Sequence, residues 1–98
     1  MEVRIKDFRL LSGTRPVRAG FDIEVAGIII REFRLIMNGR LVIEPPSLSW
    51  RDQETGDLRY RPLVTISPEL RQIIEGLAIC KYRTELEAIN ARAARQPE

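Results

Sequence analysis

The chain has 98 residues, enough for one domain with a modest core and too few for two. Apolar residues make up 44% of it, too many for a disordered chain, and no run approaches the roughly 18 apolar residues that a membrane helix needs. Sixteen basic against fourteen acidic residues leave a net charge of +2, which is not by itself the signature of a polyanion binder.

Val3 and Ile5 alternate with Arg4 and Lys6, then Phe8 and Leu10 alternate with Asp7 and Arg9. The phase shift at Asp7 predicts a first strand with a bulge. After a turn over residues 12–16, Val17, Ala19, Phe21, Ile23 and Val25 run in strict alternation with polar residues or glycine, the pattern of a half-buried strand. Ala26-Gly27 makes the next turn. Residues 28–37 predict a third strand with apolar residues on both faces, Ile29, Phe33, Leu35 and Met37 against Ile28, Ile30 and Ile36. Asn38-Gly39 is a hairpin signal, because both central residues of a type I′ turn need positive φ. A return strand over 40–44 ends at Pro45-Pro46.

Residues 47–57 read as a polar, flexible segment, and 58–66 as a fifth strand whose Pro62 implies an edge position or an irregular start. Ser67-Pro68 opens a helix, with Ser67 as N-cap and Glu69 near the positive end of the dipole. Leu70, Ile73, Ile74, Leu77 and Ala78 line one helical face, and Tyr82, Leu86, Ile89 and Ala93 continue it, so the helix either runs past Arg83 or breaks and restarts there. Gln96-Pro97-Glu98 is expected to fray. The predicted fold is α+β: a small antiparallel sheet of about five strands followed by one long C-terminal helix. One helix covers only one face of a sheet, so the second apolar face of residues 28–36 predicts a homodimer.

For catalysis the residues are poorly supplied. Histidine is absent, which removes the commonest general base and metal ligand, and a single cysteine without histidine makes neither a zinc site nor a Cys-His pair. Cys80 reads as a buried structural thiol, and one cysteine suits a reducing, cytoplasmic compartment. Met1 is followed by Glu2-Val3-Arg4 rather than by a charged and then apolar leader, so no secretory signal is expected. Asp22 and Glu24, two apart on one strand face, read as its solvated side. No phosphate-loop, dinucleotide or nucleophile-elbow spacing occurs among the glycines. The sequence therefore predicts a binding module and not an enzyme, with no cofactor, no metal, no small-molecule substrate and no membrane.

The arrangement of cations is more specific. All but Lys6 and Lys81 are arginines, which suit bidentate phosphate contacts, and over the first eighteen residues Arg4, Lys6, Arg9, Arg15 and Arg18 face only Glu2 and Asp7. Residues 47–62 hold Arg51, Arg59 and Arg61 with Trp50 and Tyr60 interleaved. Guanidiniums for phosphate and rings for base stacking are what a reader of single strands or loops uses. Asp52, Glu54 and Asp57 offset that charge, and a plain solvated loop with Trp50 tucked onto its own domain is the alternative for the same stretch.

The order of features resembles one known family. Residues 3–10, then Phe21 to Val25, Ile28-Ile29-Ile30-Arg31-Glu32-Phe33-Arg34-Leu35-Ile36 and Gly39-Arg40-Leu41-Val42-Ile43-Glu44-Pro45-Pro46-Ser47 look like the opening of the stage V sporulation protein G family, the septation regulators. Gly56, Tyr60-Arg61-Pro62-Leu63-Val64 and a helix through Ile79-Cys80-Lys81-Tyr82 continue it. The resemblance covers roughly residues 1–82, which implies a single domain there and a helical extension over 83–98. It also implies a bacterial DNA- or RNA-binding regulator that dimerises through its sheet. Family members carry a basic pair directly after Pro-Ser, where this chain has Leu48 and Ser49. Arg51, with Arg59 and Arg61 nearby, is the expected substitute.

Two functions follow. The first is a small homodimeric nucleic-acid-binding regulator of weak sequence specificity, using Arg51, Arg59, Arg61, Trp50 and Tyr60, with Arg15 and Arg18 as a second surface. The second is a protein-interaction adaptor that docks its partner on the sheet edge or on the helix through Tyr82, Leu86 and Ile89.

Overall fold

The computed structural model describes residues 2–13 and 15–95, which form six strands and one helix. β1 (Val3–Leu10), β2 (Val17–Val25), β3 (Ile28–Asn38) and β4 (Arg40–Glu44) make an antiparallel meander. β5 (Ser47–Arg51) and β6 (Leu58–Pro62) make a separate two-stranded hairpin, and α1 (Pro68–Arg95) ends the described chain. The α+β class expected from the sequence is the class observed. The strand count is six, because residues 47–51 are a strand and not a flexible segment: Leu48 and Trp50 alternate with Ser47 and Ser49 in the two-residue period of a pleat.

The alternation in β2 sets the core. Ala19, Phe21 and Ile23 are wholly buried, and their ladder partners Leu10 and Ile5 on β1 and Leu35, Phe33 and Ile30 on β3 share their face. Phe21 stacks between Phe8 and Phe33, at ring-centroid distances of 6.1 and 5.6 Å. Ile43 of β4 joins them, and α1 covers the face with Ile74 and Ala78. Burying each of these large side chains contributes about 1.5–3 kcal/mol, which makes this face the source of most of the fold's stability.

Three shifts tune the register, one of them at the start of β2, between Val17 and Ala19. The ladder between β1 and β2 slips between Lys6 and Arg9, with Asp7 at φ 48°, where the sequence predicts it. The second slip was not legible: in β3, Arg31 and Glu32 together oppose Asp22, with Glu32 at φ 70°. Asp22 is buried, and its carboxylate accepts the Glu32 N–H at 3.2 Å and a hydrogen bond from Arg31 Nη1 at 3.3 Å. It is therefore the brace of a strained bulge and not part of a solvated acidic face. The extra residue also reverses the phase of the strand's first half, so Ile28 and Ile30 share the helix-covered side with Phe33 and Leu35. The continuous second apolar face expected for β3 is reduced to Ile29 and Ile36, separated by charged residues.

The turns differ from expectation in a related way. Positive φ at both central residues, the type I′ requirement, occurs at Ala26 (52°) and Gly27 (77°). At the β3–β4 connection only Gly39 has it (72°), because Asn38 is already paired with Arg40 in the ladder.

Ser67 caps α1 as predicted, its Oγ accepting the Leu70 N–H at 3.1 Å. The helix passes Arg83 without a break and continues to Arg95; Gln96, Pro97 and Glu98 lie outside the described residues. Cys80 is an exposed free thiol, against the expectation of burial, because it sits about 200° around the helix from Ala78. Two α1 side chains also occupy backbone groups on β4: Glu75 Oε2 accepts the Ile43 N–H at 3.1 Å, and Arg71 Nη2 donates to the Ile43 carbonyl at 2.6 Å. Among the described residues no helix is long and apolar enough to cross a membrane.

Candidate nucleic-acid interface

The hairpin carries most of the residues singled out in the sequence, and its register sorts them. Leu48 lies opposite Arg61, Ser49 opposite Tyr60, Trp50 opposite Arg59, and Arg51 opposite Leu58. Directly opposed residues of an antiparallel pair share a face and neighbours along a strand alternate. One face therefore presents Trp50, Arg59, Arg61 and Leu48, and the other presents Tyr60, Arg51, Leu58 and Pro62. The two aromatic rings are on opposite sides. Trp50 is 45% and Tyr60 65% exposed, so neither ring is tucked onto the domain.

A six-residue turn holds the strands in register. Asp52 N–H bonds the Asp57 carbonyl and Gly56 N–H bonds the Asp52 carbonyl, both at 2.8 Å, with Gly56 at φ 75°. The Asp52 carboxylate accepts the N–H groups of Glu54 and Thr55 at 2.8 and 3.3 Å. Those donors, more than the Arg59 guanidinium 3.2 Å away, hold the Asp52 carboxyl below its ordinary pKa. This is a built turn, whose order comes from one aspartate bonding its own loop.

The arginines differ in what remains free. Arg59 is paired with Asp52, and Arg51 donates to the Gly56 carbonyl at 2.7 Å, which ties its head to the turn while leaving its charge unpaired. Arg61 makes no ion pair among the described residues, nor do Arg15 and Arg18. Most other cations of the sheet are neutralised: Arg4 and Lys6 reach Glu24, Arg9 pairs with Asp7, Arg31 with Asp22 and Arg34 with Glu44.

Between the Tyr60 face and the helix-free side of the sheet lies an open groove of about 520 Å³, with Tyr60 and Pro62 on one wall, Val17 and Ile36 on the other and Pro45 between them. Arg15 lines an adjoining hollow that shares Val17 and Arg34 with the groove. Arg18 is half-buried on β2. The structure thus gathers Trp50, Arg59 and Arg61 on one surface, sets Tyr60 and Arg51 on its back, places Arg15 beside the groove and leaves Arg18 apart. Sequence reasoning missed Leu48 and Leu58, both about half exposed; their alternation with Trp50 and Tyr60 was the available signal. No cluster of three or more potential metal ligands occurs among the described residues.

Fold and surface define a small α+β protein that displays a mixed aromatic and cationic hairpin. Searches against known protein families, curated proteins and solved structures found no match for this chain.

Proposed function

We infer that the protein is a small, cytoplasmic, homodimeric nucleic-acid-binding regulator of weak sequence specificity, of the stage V sporulation protein G type, with residues 1–82 as its domain and the rest of α1 as an extension. The observation that carries this reading is the outer hairpin face, where exposed Trp50 lies directly opposite Arg59, with Arg61 two residues along the same side. A base stacks on the ring while the guanidiniums hold the phosphates on either side of it. Arg61, opposite Leu48, returns a cation to the face where the first residue of the family's basic pair would stand. Arg51 supports this face from behind through the turn, and Arg15 and Arg18 add unpaired positive charge on the sheet. The exposed single thiol suits a reducing compartment.

Fluorescence anisotropy with short labelled single- and double-stranded DNA and RNA at two salt concentrations tests the reading. Saturable binding that weakens steeply with salt is expected, with single strands preferred. Absence of binding at low salt overturns it. The adaptor reading then takes precedence, and Leu86 and Ile89, 37% and 42% exposed on α1, favour it. It would use the helix or the β1 edge of the sheet, and neither the Ile43 stretch of β4, whose backbone groups Arg71 and Glu75 occupy, nor Tyr82, which packs on the core.

A further inference from the structure

We propose that the groove between the β5–β6 hairpin and the helix-free side of the sheet seats one unstacked guanine of a bound single strand. Tyr60 is its stacking platform, and the Arg34–Glu44 pair reads its edge. The proposal rests on the nucleic-acid reading and adds to it a preference for one base.

The first argument is the lining. At about 520 Å³ the groove falls within the range of about 300–1,000 Å³ usual for small-ligand sites, which are mostly apolar with a few polar groups that fix orientation. The exposed Tyr60 ring and the rings of Pro45 and Pro62 are flat, rigid surfaces that suit a planar heterocycle. The charged groups stand together. Arg34 and Glu44 are directly opposed in the ladder between β3 and β4, and Arg34 Nη2 lies 3.4 Å from Glu44 Oε1. Along their strands they alternate with the buried Leu35 and Ile43, so both project from the face that α1 leaves bare. Each is nearly half exposed, and an ion pair so exposed contributes little to stability and opens readily to a ligand.

The second argument is the pattern of donors and acceptors. A guanidinium offers donors alone and a carboxylate acceptors alone. Guanine is the base whose edge sets two adjacent acceptors, the keto oxygen and a ring nitrogen, beside two adjacent donors, the ring N–H and the amino group. Each member of the pair therefore meets it with two parallel hydrogen bonds. Adenine, cytosine and thymine leave at least one of the two with a single bond, and a covered polar group left short of partners disfavours them. A cation for the phosphate stands close by. Arg15 lines the hollow that adjoins the groove at Arg34 and makes no ion pair among the described residues. Arg59 and Arg61 flank Tyr60 along β6 and face the other way, so the flanking phosphates are held on the outer hairpin face.

Anisotropy titrations of the full chain with short labelled thymine strands, either unbroken or carrying one central guanine, adenine or cytosine, test this directly. The guanine strand is expected to bind at least about tenfold more tightly than the others. Glu44→Gln and Arg34→Lys, the second keeping the charge but losing the planar fork, are expected to remove that preference while the unbroken thymine strand still binds and circular dichroism stays unchanged. Trp50→Ala, on the other hairpin face, weakens all four strands alike and keeps the preference. Strands that bind without regard to the central base overturn the proposal and leave the nucleic-acid reading standing. So does a guanine preference that survives both Glu44→Gln and Arg34→Lys. If no strand binds, the nucleic-acid reading and the strand-borne guanine fall together. Titration with guanosine and adenosine monophosphates, followed by the amide signals of Arg34, Glu44 and Tyr60, then shows whether the groove takes a free guanine nucleotide instead.

Discussion

In β2 the side chains of Ala19, Phe21 and Ile23 leave the water completely, whereas in β6 none does, although both strands follow the same two-residue alternation. What separates them is cover. The meander has α1 lying over Phe21, Ile23 and Phe33, and it gains its stability there. The hairpin has a well-bonded turn and a fixed register, but Trp50, Leu48, Leu58 and Tyr60 remain in solvent. One region is covered within the chain; the other keeps its apolar side chains in water.

The comparison breaks most sharply at the core. Phe21→Ala should cost about 3–5 kcal/mol and Ile74→Ala about 2–5 kcal/mol in urea unfolding, since each empties a fully buried site. Trp50→Ala should do the reverse: stability within about 0.5 kcal/mol of wild type, and a loss of about 1–3 kcal/mol in single-strand binding by anisotropy. Arg61→Ala should lower the salt dependence of binding by about one unit of slope, and Arg51→Ala, whose head is tied to Gly56, should change it less. A large stability loss from Trp50→Ala would erase the distinction between the regions.

Much of the first region was legible and much of the second was not, for one physical reason. Periodicity reports burial against a partner within the chain, so β2 and the capped α1 stood out, as did the bulge at Asp7, where the pattern visibly changes phase. The bulge at Arg31-Glu32 left no such mark, because isoleucines surround it on both phases and only the buried carboxylate of Asp22 reveals it. The same gap exaggerated the apolar second face of β3. In the hairpin, the strand 47–51 alternates serine with apolar residues, a weak signal beside a cluster of charges. The interleaving of Trp50 and Tyr60 suggested one joint surface; a strand puts ring neighbours ten apart on whichever side the register dictates, and the turn length set that register.

Smaller effects sharpen the picture. Ser67→Ala should destabilise by about 1 kcal/mol through the lost cap on the Leu70 N–H, read by thermal unfolding. The smallest concerns pH. Because the Asp52 carboxyl is held below its ordinary range, the turn's support is complete above the unfolded carboxylate pKa and is lost only as the pH falls through the lower folded value. The Glu54 and Thr55 amide signals should therefore hold their positions through pH 4–5, about where free carboxylates titrate, and move only below it. In Asp52→Ala they should be displaced at every pH.

The closure of β4 ties two hazards together. Arg71 and Glu75, which occupy the Ile43 backbone groups, stand within one helical turn of Ile74, the residue that seals the core. The Ile43 stretch of the β4 edge is thus bared to other chains only when the helix lifts, and the helix cannot lift without emptying the core. Clumping through β4 should consequently trail melting on heating, and a chain cut before Arg71 would lose its guard and its lid in the same stroke.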